Sequence, residues 1–270
     1  IMLGSALDMS FTDFFWYKGK PGMFFAVELG AILSALIIAF LFRKEKAAIP
    51  KTAERTKVTD FVPSALLLGT IVLLIGASFI PGKPDITNGL ICCGLLVIGL
   101  VYNFIKKKKI SAIVAPLKEI DFQTIGLLFG LFIMIGGIAE QGVIDAAANL
   151  LAKMGGGNVF LLYTVIVWAS VLISAFIDNI PYVATMIPVI AGLATALDID
   201  PTVLYFGLLS GATLGGNCTP IGASANITGI GILRKEGYTV KNSDFFKIGI
   251  PFTLAAIIPA YIYLWLVYGF

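Results

Sequence analysis

Apolar residues run for about 20 positions at a time along this chain, at 23–42, 61–80, 86–105, 122–138 and 247–268. A helix needs about 20 such residues to cross the hydrocarbon core of a bilayer, so each run predicts a membrane span. Two further apolar blocks, 158–197 and 200–236, carry polar interruptions. In the second, residues 208–226 read Leu-Leu-Ser-Gly-Ala-Thr-Leu-Gly-Gly-Asn-Cys-Thr-Pro-Ile-Gly-Ala-Ser-Ala-Asn. Gly215 and Gly216 allow the chain to unwind, and Asn217, Thr219, Ser224 and Asn226 supply amide and hydroxyl groups. Free backbone N–H and C=O groups are costly in hydrocarbon, so a broken helix at that depth is buried in protein or lines a cavity. The pattern predicts a discontinuous helix over 200–236, the device with which secondary transporters coordinate ions and solutes.

The first block breaks at Ser-Ala-Phe-Ile-Asp-Asn-Ile-Pro-Tyr-Val-Ala-Thr-Met-Ile-Pro, residues 174–188. Asp-Asn followed shortly by Pro is a turn and helix-start signal. Asp178 or Asn179 can cap the helix, and Pro181 fits its first turn. The prediction is a re-entrant hairpin over 158–197, its tip carrying Asp178 and Asn179 into the membrane, with Thr185 on the second arm and Pro188 kinking it. No charged residue lies between Lys153 and Asp178, nor between Asp178 and Asp198. A carboxylate isolated in so long an apolar block reads as a functional site. The plainer reading makes Asp178 a surface cap, and the two roles are compatible. Glu28, in the span 23–42, stands between a place on a ligand path and snorkelling to the interface. Glu140 and Asp145 belong to an amphipathic stretch, 139–153, expected at the membrane surface. Phe129, Phe132 and Met134 read as helix packing.

Composition agrees with the pattern. The chain is 58% hydrophobic and 13% charged, with mean hydropathy +0.95. A soluble domain carries about 25% charged residues. The fold class is therefore an all-α polytopic membrane protein. The pI near 8.7 does not call for a nucleic-acid partner, because the basic residues follow topology. Most of the 19 Lys and Arg lie in three loops: Arg43, Lys44, Lys46, Lys51, Arg55 and Lys57; Lys106–Lys109 with Lys118; and Arg234, Lys235, Lys241 and Lys247. The positive-inside rule places these loops in the cytoplasm, with Pro81–Asp85 and the C-terminus outside. Lys106–Lys109 reads as a topological anchor.

The chain has no histidine, so a proton-coupled step would fall on carboxylates. Cys92 and Cys93 read as packing residues, Cys218 lies in the polar break, and no cysteine spacing suggests zinc. Carboxylate, amide, hydroxyl and carbonyl oxygens suit a hard cation. Asp178, Asn179 and Asn217 are the candidate Na⁺ ligands. Thr185, Gly215, Gly216, Thr219, Ser224 and Asn226 complete the candidate ion or substrate site. Half-helix N-termini could instead hold an anion. No cofactor is expected beyond Na⁺ or H⁺ as the coupling ion.

Residues 1–42 and 227–268 share a plan. Each has a short apolar piece, then a polar stretch containing Asp-Phe-Phe (Asp13-Phe14-Phe15 and Asp244-Phe245-Phe246), then one full span. The charge assignment puts the first polar stretch outside and the second inside, so the units form an inverted repeat. A hairpin and a broken helix precede the short piece in the second unit only. The chain therefore reads as N-terminally incomplete, the C-terminal part of a longer two-repeat protein. The alternative is a short half-transporter assembled from separate pieces. Residues 1–60 would be the end of the first repeat and a cytoplasmic linker, and 61–270 the second repeat.

The motifs Ser174–Pro181, Met186–Pro188, Gly211–Asn217 and Ile221–Asn226 resemble the second-repeat motifs of the ion transporter superfamily. The nearest branch holds arsenite permeases, NhaD-type Na⁺/H⁺ antiporters and the P protein, with citrate and dicarboxylate transporters more distant. The likeness covers essentially the whole chain. Residues 1–6 resemble those just after the first repeat's Pro-Pro-Asn motif. Cys218 and Pro220 stand where Gly and Leu are common. The resemblance implies that the hairpin tip and the unwound helix meet to form a sodium or substrate site. It also implies an elevator mechanism in a homodimer, with 61–105 and 23–42 mainly scaffold. The hairpin 158–197 and broken helix 200–236 would form the transport part, and 247–268 the last span.

The expected function is secondary active ion transport of the arsenite-permease or Na⁺/H⁺ antiporter type, on a small inorganic ion or small anion. The alternative is a sodium-coupled dicarboxylate, citrate or other anion symporter. Enzyme chemistry is excluded by the lack of His, of HExxH and of paired carboxylates on one membrane helix. The expected partners are the lipid bilayer and a missing N-terminal half or companion chain. The expected location is the plasma (inner) membrane.

Overall fold

The computed structural model describes residues 2–44, 60–80, 82–84, 86–120 and 122–270. Lys46, Lys51, Arg55 and Lys57 of the first basic loop, and Pro81 and Asp85 of the predicted outer loop, lie outside the described residues. The protein is an all-α polytopic membrane protein. By length and composition, four described helices can cross a bilayer, and a bent pair makes a fifth.

The described residues divide into two compact units. The smaller contains α3 (Val62–Ser78), α4 (Thr87–Lys107) and α5 (Ser111–Lys118). Asp60 organises it. Its Oδ1 accepts from the Val62 N–H at 3.0 Å, capping α3, while the Tyr102 hydroxyl at 3.1 Å and the Lys106 Nζ at 2.5 Å bind it to α4. The Lys106 ammonium holds the Asp60 carboxyl below its ordinary range. Lys106 thus does more than mark topology. Asn103 Nδ2 donates to the Ala112 carbonyl at 2.8 Å and fastens α5. The Phe11 N–H donates to Ser78 Oγ at 3.1 Å, tying residues 8–12 to the end of α3.

The larger unit begins with α1 (Met2–Ala6), a two-stranded hairpin of β1 (Trp16–Tyr17) and β2 (Lys20–Pro21), and α2 (Met23–Leu41). After α6 (Phe122–Glu140) come α7 (Val143–Gly155), α8 (Val159–Ser174), α9 (Asn179–Leu197), α10 (Thr202–Gly215), α11 (Ser224–Lys235) and α12 (Asn242–Tyr268). The chain bends by 71° between α6 and α7. Gly142 turns it with φ +70, a region open chiefly to glycine. The amphipathic α7 sets Ala148 against Gly192 of α9, while Val143, Leu150 and Met154 stay exposed. The last predicted span starts earlier than its apolar run. Asp244 and Lys247 join the first turns of α12, where an acid complements the helix dipole.

α2 and α12 pack closely. Gly30 lies on the Ala256 backbone, and Ser34 Oγ donates to the Phe252 carbonyl at 3.1 Å. Moving up one chain moves down the other, so these two spans run antiparallel. The β1–β2 hairpin closes one end of the unit. Lys20 Nζ donates to the Val267 and Phe270 carbonyls at 2.7 and 3.3 Å. Those carbonyls lack helical partners, and a cation there also complements the dipole. Lys18 Nζ reaches Asp200 Oδ2 at 2.6 Å, and Asp200 Oδ1 accepts from the Thr202 N–H at 2.9 Å at the start of α10. Residues 13–22, the start of α10 and the C-terminus therefore share one end.

The contact at the centre of the unit is α10 on α8. Gly207, Gly211 and Gly215, four residues apart, face Tyr163, Val167 and Val171, also four apart. A Cβ at Gly215 would stand 2.5 Å from the Val171 carbonyl oxygen, and one at Gly211 nearer still to that of Val167. Small residues at this spacing let membrane helices meet backbone to backbone. Ser174 Oγ donates to the Ala212 carbonyl across the seam. At the far end Tyr163 is fully buried, stacks on Tyr261 at 5.0 Å and donates its hydroxyl to the Tyr261 carbonyl at 2.8 Å.

Gly211→Ala is expected to lower the thermal unfolding midpoint, at a cost of about 1–3 kcal/mol for an overpacked seam. Gly229→Ala, in α11 with open space around its Cβ, is expected to be neutral or stabilising. Equal midpoints would contradict the seam.

The Asp200 carboxyl pays for burial, but hydrogen bonds from Lys18 and Thr202 outweigh that and hold its pKa below the ordinary value. A lowered pKa stabilises above the unfolded value of about 3.9, and the gain is lost as pH falls through the folded one. Amide exchange in residues 15–22 should therefore be flat from about pH 5 to 8 after correction for intrinsic rates, and should rise on acidification below about pH 4. Asp200→Asn should raise it at neutral pH.

Candidate functional site

The glycine seam decides what lies at its end. α10 stops at Gly215, and Gly216–Cys218 make one turn of 3₁₀ helix. Thr219 (φ −126, ψ 158) and Ala223 (φ −146, ψ 143) are extended, and α11 starts at Ser224. The predicted break thus spans 216–223. The seam carries this unwound segment onto the turn between α8 and α9. Thr219, only 5% exposed, donates its hydroxyl to the Ala175 carbonyl. Gly222 packs on that same carbonyl and on Gly216, with no room for a side chain at either glycine.

Asn226 closes the segment from the other side. Its Nδ2 donates to the Gly216 carbonyl at 2.9 Å and to the Thr219 carbonyl at 3.0 Å. Both amide hydrogens are used, which leaves Oδ1 to face a donor or a cation. The Ile221 N–H donates to Thr219 Oγ1 at 3.3 Å. The free carbonyls of an open helix end, expensive in an apolar setting, are thereby paired inside the protein.

At the turn between α8 and α9, Asp178 is half-buried and caps α9, its Oδ1 accepting from the Ile180 N–H at 3.2 Å. The capping role is therefore real, and the second carboxylate oxygen remains available. Asn179, also half-buried, opens α9, and Pro181 sits in the first turn. Thr185 is exposed and donates to the Pro181 carbonyl of its own helix at 3.0 Å. Ser224 is exposed as the first residue of α11. Pro188 lies inside an unbroken α9, and Tyr205 donates to the neighbouring Ile187 carbonyl at 3.1 Å.

The structure therefore brings together Gly216, Thr219 and Asn226, and fastens them to Ala175, three residues before Asp178. Asn217 points elsewhere. It lines a cavity of about 340 Å³ bounded by α2, α10 and α12, to which neither Asp178 nor Asn179 contributes. Glu28 lies on the exposed side of α2, away from Met23, Ala26, Gly30 and Ser34, which are buried. No group of three or more His, Cys, Asp or Glu able to hold a metal occurs among the described residues. The groups that close the break are amides, a hydroxyl and carbonyls, oxygen and nitrogen donors unlike the set a soft transition metal takes. Sequence reasoning missed the Thr219–Ala175 bond, which joins residues far apart in the chain. It also missed the Gly207–Gly211–Gly215 seam, whose four-residue spacing was there to be read.

The sequence model of the citrate transporter family matches residues 93–269. The chain is 32% identical over 274 residues to the 46 kDa membrane protein of Mycobacterium leprae, covering 99% of this chain and 62% of that protein. It is 26% identical over 297 residues to an uncharacterized transporter of Synechocystis, covering 99% of this chain and 63% of that one. It is also 31% identical over 226 residues to the P protein of Sus scrofa, covering 79% and 25%. The chain thus spans about six-tenths of the length of the first two relatives. No solved structure matches it.

Asn226→Ala removes both donors that close the break. Each unpaired buried carbonyl costs about 1–3 kcal/mol. The expected result is faster amide exchange and proteolytic nicking within 216–223, with α8 and α12 unchanged. Unaltered exchange there would contradict the clasp.

Proposed function

We propose that this chain, which belongs to the citrate transporter family, supplies one half of the solute site of a secondary active transporter. The observation that carries the reading is the unwound segment 216–223 docked on the hairpin turn at Ala175 through Thr219. Broken helices of this kind occur at membrane depth where they line a solute site. The antiparallel packing of α2 on α12 supports an inverted repeat, since each is the span that ends one of the two matching units.

In this reading Asp178 and Asn179 bind the coupling cation, Na⁺, or Asp178 carries the proton. The carbonyls and amides of the break, with Thr219, Ser224 and Asn226, complete the polar surface. Asp178 is the isolated carboxylate of an apolar block, the expected place for a membrane ion site. The reading extends to antiport of the arsenite-permease or Na⁺/H⁺ type by an elevator motion, in a homodimer in the plasma membrane.

The family's description as citrate transporters favours a second reading, sodium-coupled uptake of a citrate-like anion. There the N-termini of α9, which starts just after the docking turn, and of α11, which starts just after the docked segment, would face the anion. The Asp178 charge opposes this unless a cation sits between.

The test is Asp178→Asn in the full-length protein reconstituted into vesicles. Asn caps a helix as well as Asp does, so the fold is kept and only the charge is lost. Transport driven by a Na⁺ or H⁺ gradient is expected to fall to background with an unchanged unfolding midpoint. Wild-type transport by this variant would remove Asp178 from the site. Saturable, sodium-dependent citrate uptake by the parent protein would select the second reading.

A further inference from the structure

The cavity between α2, α10 and α12 lies on a different face of α10 from the glycine seam, and the transport reading does not use it. It measures about 340 Å³, within the range of small-molecule sites. None of its lining residues is charged. An ion or a carboxylate would enter without a counter-charge, at a high desolvation cost, so this is not a second place for a charged solute.

Its wall is hydrocarbon apart from a narrow polar strip. Ser34 and Ser210 face it, but their hydroxyl protons are spent on the Phe252 carbonyl at 3.1 Å and the Phe206 carbonyl at 2.9 Å. Thr213, exposed near the end of α10, and Asn217, one turn further on in the 3₁₀ turn and half-buried, line its open edge, and their side chains have no hydrogen-bond partner among the described residues. A mostly apolar cavity does not hold water well and takes apolar ligands instead. One unpaired hydroxyl and one unpaired amide at one side select a ligand with a single polar end. Ala31 and Val27, both exposed, form the rim on α2.

We propose that this cavity binds a small neutral amphiphile of the medium-chain alcohol class. The hydrocarbon lies between α2 and α12, and the hydroxyl lies at Thr213 and Asn217. The inference goes beyond the transport reading and does not depend on it. A ligand there touches α10 and both partner spans at once, so it rigidifies the stretch of α10 that leads into the break.

The test photolabels the full-length protein in vesicles with a diazirine-bearing octanol and maps the adducts by mass spectrometry. The expected result is saturable labelling of peptides from α2, α10 and α12, displaced by octanol. Octanol should also slow amide exchange in residues 209–217. Ala31→Trp fills the rim and should abolish both effects. Val27→Trp does the same from the other edge and serves if the first variant does not fold. Labelling that does not saturate, or that persists in a folded Trp variant, would overturn the proposal. Because the readout is binding, its failure leaves the transport test untouched, and a failed transport test leaves this one standing.

Discussion

The close approach of α10 to α8 is the constraint on which the site depends. Three glycines in one stripe let the backbone of α10 rest on the carbonyls of Val167 and Val171. Dispersion falls steeply with distance, so helices that touch at backbone range gain many short contacts without large side chains. The seam also sets a register. With Gly215 fixed on Val171, the next residues of α10 must unwind directly beside the end of α8. The Ser174 hydroxyl bonded to the Ala212 carbonyl and the Thr219 hydroxyl bonded to the Ala175 carbonyl continue the same line beyond the last glycine.

That line turns a helix break, ordinarily a fault in a membrane, into a defined surface. The clasp made by Asn226 and Thr219 pairs the free carbonyls, while Gly216 and Gly222 allow the two ends of the segment to touch. Asp178 follows Ala175 by three residues, with one oxygen committed to the cap of α9. In the proposed reading that carboxylate serves both as cap and as cation ligand, in a span where a second charge would be costly. On the other side of α10, Gly249 of α12 approaches the Asn217 carbonyl closely.

Much of this was readable from the chain. Apolar runs located α2, α3, α4, α6 and α12 to within a few residues, because a bilayer-length run has few other readings. The break was legible because Gly-Gly-Asn and Gly-Ala-Ser interrupt an apolar block, and Asp-Asn-Ile-Pro marked the start of α9. What escaped was contact between elements. Gly207, Gly211 and Gly215 look like flexibility until a partner helix is known, and nothing near Ala175 announces that its carbonyl receives Thr219. Asp60 reads as one more loop charge until Tyr102 and Lys106 converge on it. Asn217, grouped with the hairpin residues by its place in the motif, faces the α2–α12 side with Ser210, Thr213 and Leu214, seven, four and three positions before it along one helical face.

The central claim is that the hairpin turn and the unwound segment form one cation-binding surface in the whole protein. The measurement that tests it most directly is a cryo-electron-microscopy map of the full-length protein in sodium at a resolution that shows bound ions. The account predicts Thr219 bonded to the Ala175 carbonyl and ion density bounded by Asp178 and the 216–226 segment. A continuous helix through 216–223, or ion density remote from Asp178 with the segment lifted off the hairpin, would contradict it.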